Sequence, residues 1–138
     1  MAVYTCITQE GMLSAAQRAS FAQEITRGHI ELSGDNDPAR FIRVIFQTVP
    51  ADSTFVGGKP AANIMIVGIV RQGRSAESRA TLLKGLWSMC KQVTGLSDDQ
   101  IWVSVTEIPA SSGMEYDAVL PEPGHEAEWL TKLGLPTN

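Results

Sequence analysis

One pattern occurs twice in this chain and limits the folds open to it: a short apolar run of β-forming residues, a serine followed by residues at helical spacing, then a second apolar run. In the first copy Val3, Cys6 and Ile7 mark a strand over about residues 2–8, and Ser14 caps a helix over roughly residues 15–32. Ala15, Ala19, Ala22, Ile25, His29 and Leu32 form the expected buried stripe of that helix. The run from Phe41 to Val49 closes the unit as a strand. In the second copy the run from Asn63 to Val70 is the strand, Ser75 is the cap, and the helix covers about residues 76–94, with Ala76, Ala80, Leu83, Trp87 and Cys90 on one face. The strand from Ile101 to Thr106 follows. The first strands (Ala2, Asn63) and the caps (Ser14, Ser75) are each 61 positions apart, and the return strands (Phe41, Ile101) 60. The halves share little residue identity, so the repeat is one of structural pattern.

A strand–helix–strand unit crosses over right-handed and leaves its two strands parallel. Two such units side by side predict an α/β (α+β) fold: a double βαβ with a four-stranded sheet of mixed parallel and antiparallel pairing and both helices on one face. The other face, to which Phe46 and Ile66 are assigned, then lacks a cover, and an oligomer is the natural remedy. The 138 residues suit a single domain, divided into a βαβ unit at 1–49, a linker at 50–62, a second βαβ unit at 63–107 and a C-terminal tail at 108–138. The linker, with Pro50, Gly57-Gly58 and Pro60, reads as a loop or short hairpin, and the stretch from Ser33 to Pro38 as a turn. The tail holds a short helix from His125 to Leu130, where Trp129 and Leu130 can anchor it on its own or a neighbouring subunit.

A net charge of −4 and a pI near 5.1 argue against nucleic acid as a partner, because a phosphate backbone selects for a basic face. No apolar run reaches membrane-spanning length and the N-terminal residues lack the basic start of a signal peptide, so a cytoplasmic protein with no membrane partner is expected. Cys6 and Cys90 have no metal-ligand spacing and read as core thiols; neither a metal nor a cofactor is expected.

Against this acidic background, Arg71 and Arg74 stand at the end of an apolar strand and just before a helix. The unpaired N–H groups and positive dipole end of that helix add to the two guanidiniums, which makes the turn a candidate site for a small carboxylate or phosphate. The alternative is a solvated turn with surface ion pairs only.

Several motifs also occur in a telling order. They are the N-terminal strand, a helix with His29, Arg71-Gln72-Gly73-Arg74-Ser75-Ala76 at the second strand-to-helix turn, Ile101-Trp102-Val103, Glu115-Tyr116, and Pro121-Glu122-Pro123-Gly124-His125-Glu126-Ala127-Glu128-Trp129. Together they resemble the cis-3-chloroacrylic acid dehalogenase group of the tautomerase superfamily over nearly the whole chain. The resemblance implies a homotrimer of double-βαβ subunits, sheets packed inward, with an active site around the start of the first strand. In that group an amino-terminal proline transfers the proton, two arginines and a histidine hold the substrate carboxylate, and a tyrosine and a glutamate position and activate water. By position, the substrate-binding residues are Arg71, Arg74 and His29, and the glutamate is Glu115. The proline position is Ala2 and the tyrosine position is Ser104.

Those two departures matter chemically. A free α-amine, with a pKa of about 7.7–8.0, could still do acid–base work at Ala2 once Met1 is removed, whereas an Ala2 amide could not. Ser104 has neither the reach nor the phenolic acidity of a tyrosine, so Glu115 alone is left to activate water. On residue type alone, His29 also fits a hydrogen-bonded core histidine, and Glu115 a solvated carboxylate. Two functions are therefore expected. One is weak or altered turnover of small unsaturated or 2-oxo carboxylic acids, as a keto–enol tautomerase or a hydratase or dehalogenase, with Ala2, Glu115 and Ser104 at the catalytic positions. The other is a non-catalytic, carboxylate-binding trimer that has lost its amine.

Overall fold

The computed structural model describes residues 1–33 and 37–137. Strand β1 (Ala2–Gln9), helix α1 (Ala15–Leu32) and strand β2 (Ile42–Val49) form the first unit; a hairpin of β3 (Phe55–Val56) and β4 (Lys59–Pro60) leads to β5 (Ile64–Arg71), α2 (Ala76–Thr94) and β6 (Ile101–Ile108). A second hairpin, β7 (Met114–Glu115) and β8 (Ala118–Val119), precedes the tail helix α3 (Glu126–Lys132). The main sheet runs β2-β1-β5-β6, parallel in each outer pair and antiparallel between β1 and β5. The two βαβ units therefore join along their first strands. Of the turn expected from Ser33 to Pro38, positions 34–36 lie outside the described residues.

Both serine caps form. Ser14 accepts from the Gln17 N–H at 3.1 Å while the Gln17 side chain accepts from the Ser14 N–H at 2.8 Å, and Ser75 accepts from the Ser78 N–H at 3.1 Å. The buried stripes, however, differ from those expected. In α1 they are Phe21, Ile25 and His29, and in α2 Leu82, Leu86 and Cys90, while Ala15, Ala19, Ala76 and Ala80 are exposed. An alanine gains little from burial, so the larger Phe21, Leu82 and Leu86 set the rotation of each helix about its axis.

The helices share one core with Tyr4, Cys6, Ile64, Ile66 and Val70. Phe46 and Ile66 face this core, contrary to expectation: β2 and β5 are apolar at consecutive positions, and the pleat turns Ile45 and Ile69 to the opposite face, where they are 52% and 46% exposed. Trp102 on β6 joins them at 58%. Cys6 and Cys90 are core thiols, their pKa values pushed up by burial to about 12 and 11, for Cys6 with a further contribution from Cys90. Gly68 is required by the site: a Cβ there would lie 2.7 Å from the Tyr4 ring. Among the described residues, no helix is long and apolar enough to cross a membrane.

Candidate active site

Strand register builds the site's floor. Val3 pairs with Arg43 on β2 and with Ile69 on β5, so these three side chains form a row across the open face beside the start of β1. The hairpin from Met114 to Asp117 and Leu120 also line the space, and Met1, Ala2 and Arg71 line it at the strand ends, enclosing about 440 Å³. The turn of the hairpin places Tyr116 and Asp117 at φ 51° and 59°, left-handed values that side chains rarely adopt. Glu115 immediately before it is thereby turned to the cavity. Its Oε1 accepts from Arg43 Nε at 3.3 Å and Nη2 at 3.2 Å, while among the described residues its buried Oε2 has no hydrogen-bond partner.

Behind the cavity lies a buried polar cluster. Arg71 is 1% exposed and donates from Nη1 to the Pro121 carbonyl at 2.5 Å, and from Nη2 to Glu126 Oε1 at 2.7 Å and Asp37 Oδ1 at 3.2 Å. The other oxygen of Asp37 forms an ion pair with the Met1 ammonium. Arg74 donates from Nη1 to the Arg71 carbonyl at 2.8 Å and contacts His29 Nε2 through Nη2 at 3.4 Å. The Tyr4 hydroxyl lies 2.8 Å from His29 Nδ1. Arg79 secures the turn by donating to the Arg74 carbonyl at 3.0 Å and to Glu107 at 2.9 Å.

These contacts assign the state of His29. A guanidinium can only donate, so Nε2 accepts from Arg74 and the proton sits on Nδ1, directed at Tyr4. Burial, then the N-terminal ammonium, Arg74 and Arg71, push the His29 pKa down to about 3. His29 is therefore a neutral element behind Arg74 at physiological pH. Glu126 is opposed by its own burial, but the hydrogen bond from Arg71, backbone N–H groups of Glu126 and Gly124, and the Arg71 charge together hold it below the usual carboxylate range.

Of the residues singled out in the sequence, Arg71, Arg74 and His29 meet in the cluster, and Ala2, Arg71 and Glu115 line one cavity. Ala2 carries a peptide nitrogen within the sheet, and the terminal ammonium belongs to Met1. Ser104 on β6 lies in the next row of the open face, opposite Val67 on β5, and does not line the cavity. Asp37, Glu126 and Arg43 were not singled out. Arg43 had a sequence signal, an arginine inside an apolar strand, whereas Asp37 and Glu126 sat among turn and tail residues rich in carboxylates. A hollow of about 500 Å³ between α1 and β2 is larger, but Arg27 and Glu31 at its rim pair with each other at 2.7 Å and, among the described residues, no further charged groups line it.

The fold and this arrangement around the N-terminus define a tautomerase-type protein. The chain belongs to the family described as "Putative oxalocrotonate tautomerase enzyme", which matches residues 1–132. It is similar to N1, a member of the cis-3-chloroacrylic acid dehalogenase family, at 31% identity over 97% of this chain and 92% of that one, with a TM-score of 0.88. It is also similar to native Ps01740, at 35% identity over 82% and 99% of the two chains and a TM-score of 0.78. A fused 4-OT, a symmetric trimer, shares the fold at 18% identity over 86% and 94%, with a TM-score of 0.77. No curated protein matches the chain.

The neutral state of His29 has a consequence for stability. Its folded pKa of about 3 lies below the unfolded value of about 6.5, so the unfolded chain takes up a proton that the folded one refuses between those values. Its contribution is complete above pH 6.5 and is lost as the pH falls toward 3. Chemical denaturation at pH 7.5 and pH 5 is expected to show wild type losing about 2 kcal/mol more than His29→Gln over that interval. Equal losses would mean that His29 takes up a proton in the folded state.

Proposed function

We propose that this protein is an enzyme acting on small unsaturated or 2-oxo carboxylic acids, by keto–enol tautomerisation or addition of water. The observation that carries the proposal is the convergence of the N-terminal residues, Arg71 and Glu115 on one cavity. The substrate carboxylate is placed at the Arg71 end of the cavity, with Arg74 and the neutral His29 in the cluster behind it. Charge that develops on the substrate during reaction is stabilised there, where the surroundings are low in dielectric. In hydration, the Glu115 carboxylate takes a proton from water as its oxygen bonds to the β-carbon, and the α-ammonium that Ala2 carries once Met1 is removed returns a proton to the α-carbon. In ketonisation, the enol hydroxyl loses its proton to a base and the adjacent carbon gains one.

A second reading, carboxylate binding without turnover, is the one that follows if Met1 is retained, since its ammonium then pairs with Asp37 and the Ala2 nitrogen is an amide. Initial rates with phenylenolpyruvate separate the two. Turnover by wild type, a loss of roughly 10–100-fold in kcat/KM for Arg74→Ala, and a gain for Ala2→Pro in protein whose Met1 removal is verified by intact mass are the expected results. No turnover by any of them, with calorimetric binding of acrylate that Arg74→Ala abolishes, would favour the binding protein.

We also assign the protein to a homotrimer. Ile45, Ile69 and Trp102 leave a broad apolar area on the open sheet face, of the kind that copies of a chain bury together. Light scattering at micromolar concentration is expected to give three times the chain mass of 14.9 kDa. A monomer would leave that face without its cover and overturn the assignment.

A further inference from the structure

The tail makes contacts with the site that exceed what anchoring a terminus requires. Both terminal nitrogens of Arg71 bond to it, Nη1 to the Pro121 carbonyl and Nη2 to Glu126. Glu126 is itself fixed, because its second oxygen accepts from the Gly124 N–H at 2.9 Å. Pro123 lies on the arginine turn: Gly73 adopts φ 122°, and a Cβ there would stand 2.6 Å from the proline ring. One turn further along α3, Trp129 Nε1 donates to the Val119 carbonyl at 2.8 Å, and its ring packs on Phe41, which packs in turn on Tyr116 beside Glu115. A single short helix thus touches both the arginine and the hairpin that carry the proposed chemistry.

We propose that Glu126 is a positioning residue: together with Asp37 it fixes the guanidinium plane of Arg71, so that the place of this arginine at the back of the cavity is set by the tail as well as by its own strand. The inference rests on the function proposed above. A misplacement of about 1 Å at a group that holds the substrate costs on the order of a hundredfold in rate, which gives such a positioning contact its leverage. Glu126→Gln keeps the size of the side chain but removes its charge and one of its two acceptor oxygens. Glu126→Asp keeps the carboxylate.

The test combines kinetics with ¹⁵N resonances of the Arg71 guanidinium in the full-length protein. Resolved Nη signals report restricted rotation. In Glu126→Gln these signals are expected to coalesce and kcat for phenylenolpyruvate to fall roughly tenfold or more, with KM changed by less than about threefold. Glu126→Asp is expected to recover most of both. Leu130→Val, which thins the tail's apolar contact with Met1 and Phe41 and leaves the carboxylate in place, should lower Tm but keep the resolved signals and a kcat within about twofold of wild type. Unchanged Arg71 signals or unchanged kcat in Glu126→Gln would overturn the proposal, as would an equal loss of kcat in Leu130→Val. Should wild type neither turn over nor bind acrylate, the proposed function fails, and the Arg71 signals still decide the positioning.

Discussion

A guanidinium held out of water sets the terms for one end of this molecule. A buried charge costs several kcal/mol unless partners surround it, and removing one partner of a buried pair costs roughly 3–5 kcal/mol. Arg71 meets that demand with Asp37 from the segment after α1, and with Glu126 and the Pro121 carbonyl from the tail. Stretches remote in sequence must therefore be in place together. Asp37 extends the constraint to the N-terminus through the Met1 ammonium, so β1, the loop and the tail close on one point.

That point lies where the two faces of the sheet meet. On the helix side, Gly68 leaves room for the Tyr4 ring, and Tyr4 holds the neutral His29 behind Arg74. On the open side, the Arg43–Val3–Ile69 row and the β7–β8 hairpin bring Glu115 to the cavity. Arg71, Arg74 and the Met1 ammonium thus gather at the strand ends, offset in part by Asp37 and Glu126, and the Glu115 carboxylate lies across the cavity from them. On the function proposed above, the first group would hold an acid by its carboxylate while a proton moves at its neighbouring carbons.

Much of the fold was legible because its signals are local. The serine caps, the alternation of the strands and the breaks between them depend on residues within one turn or one pleat of each other. The helix rotations were not legible, since alanines marked the stripe as strongly as Phe21, Leu82 and Leu86 although they gain far less from burial. Nor were the faces of β2 and β5, where apolar neighbours such as Ile45 and Phe46 leave the two-residue period without a phase. The same distinction holds at the site. Arg71 and Arg74 could be read from a strand end and a cap, but the partners of Arg71 lie 34 and 55 residues away, and no local pattern names them.

The central claim is that a small carboxylate occupies the cavity beside the N-terminus. Titrating acrylate into ¹⁵N-labelled protein while following the backbone amides tests it directly. Saturable shifts at residues 1–3, 71–74 and 113–117 are the expected result. Shifts confined to residues 22–31 and 42–44, around the larger hollow between α1 and β2, or no saturable shifts at all, would contradict it.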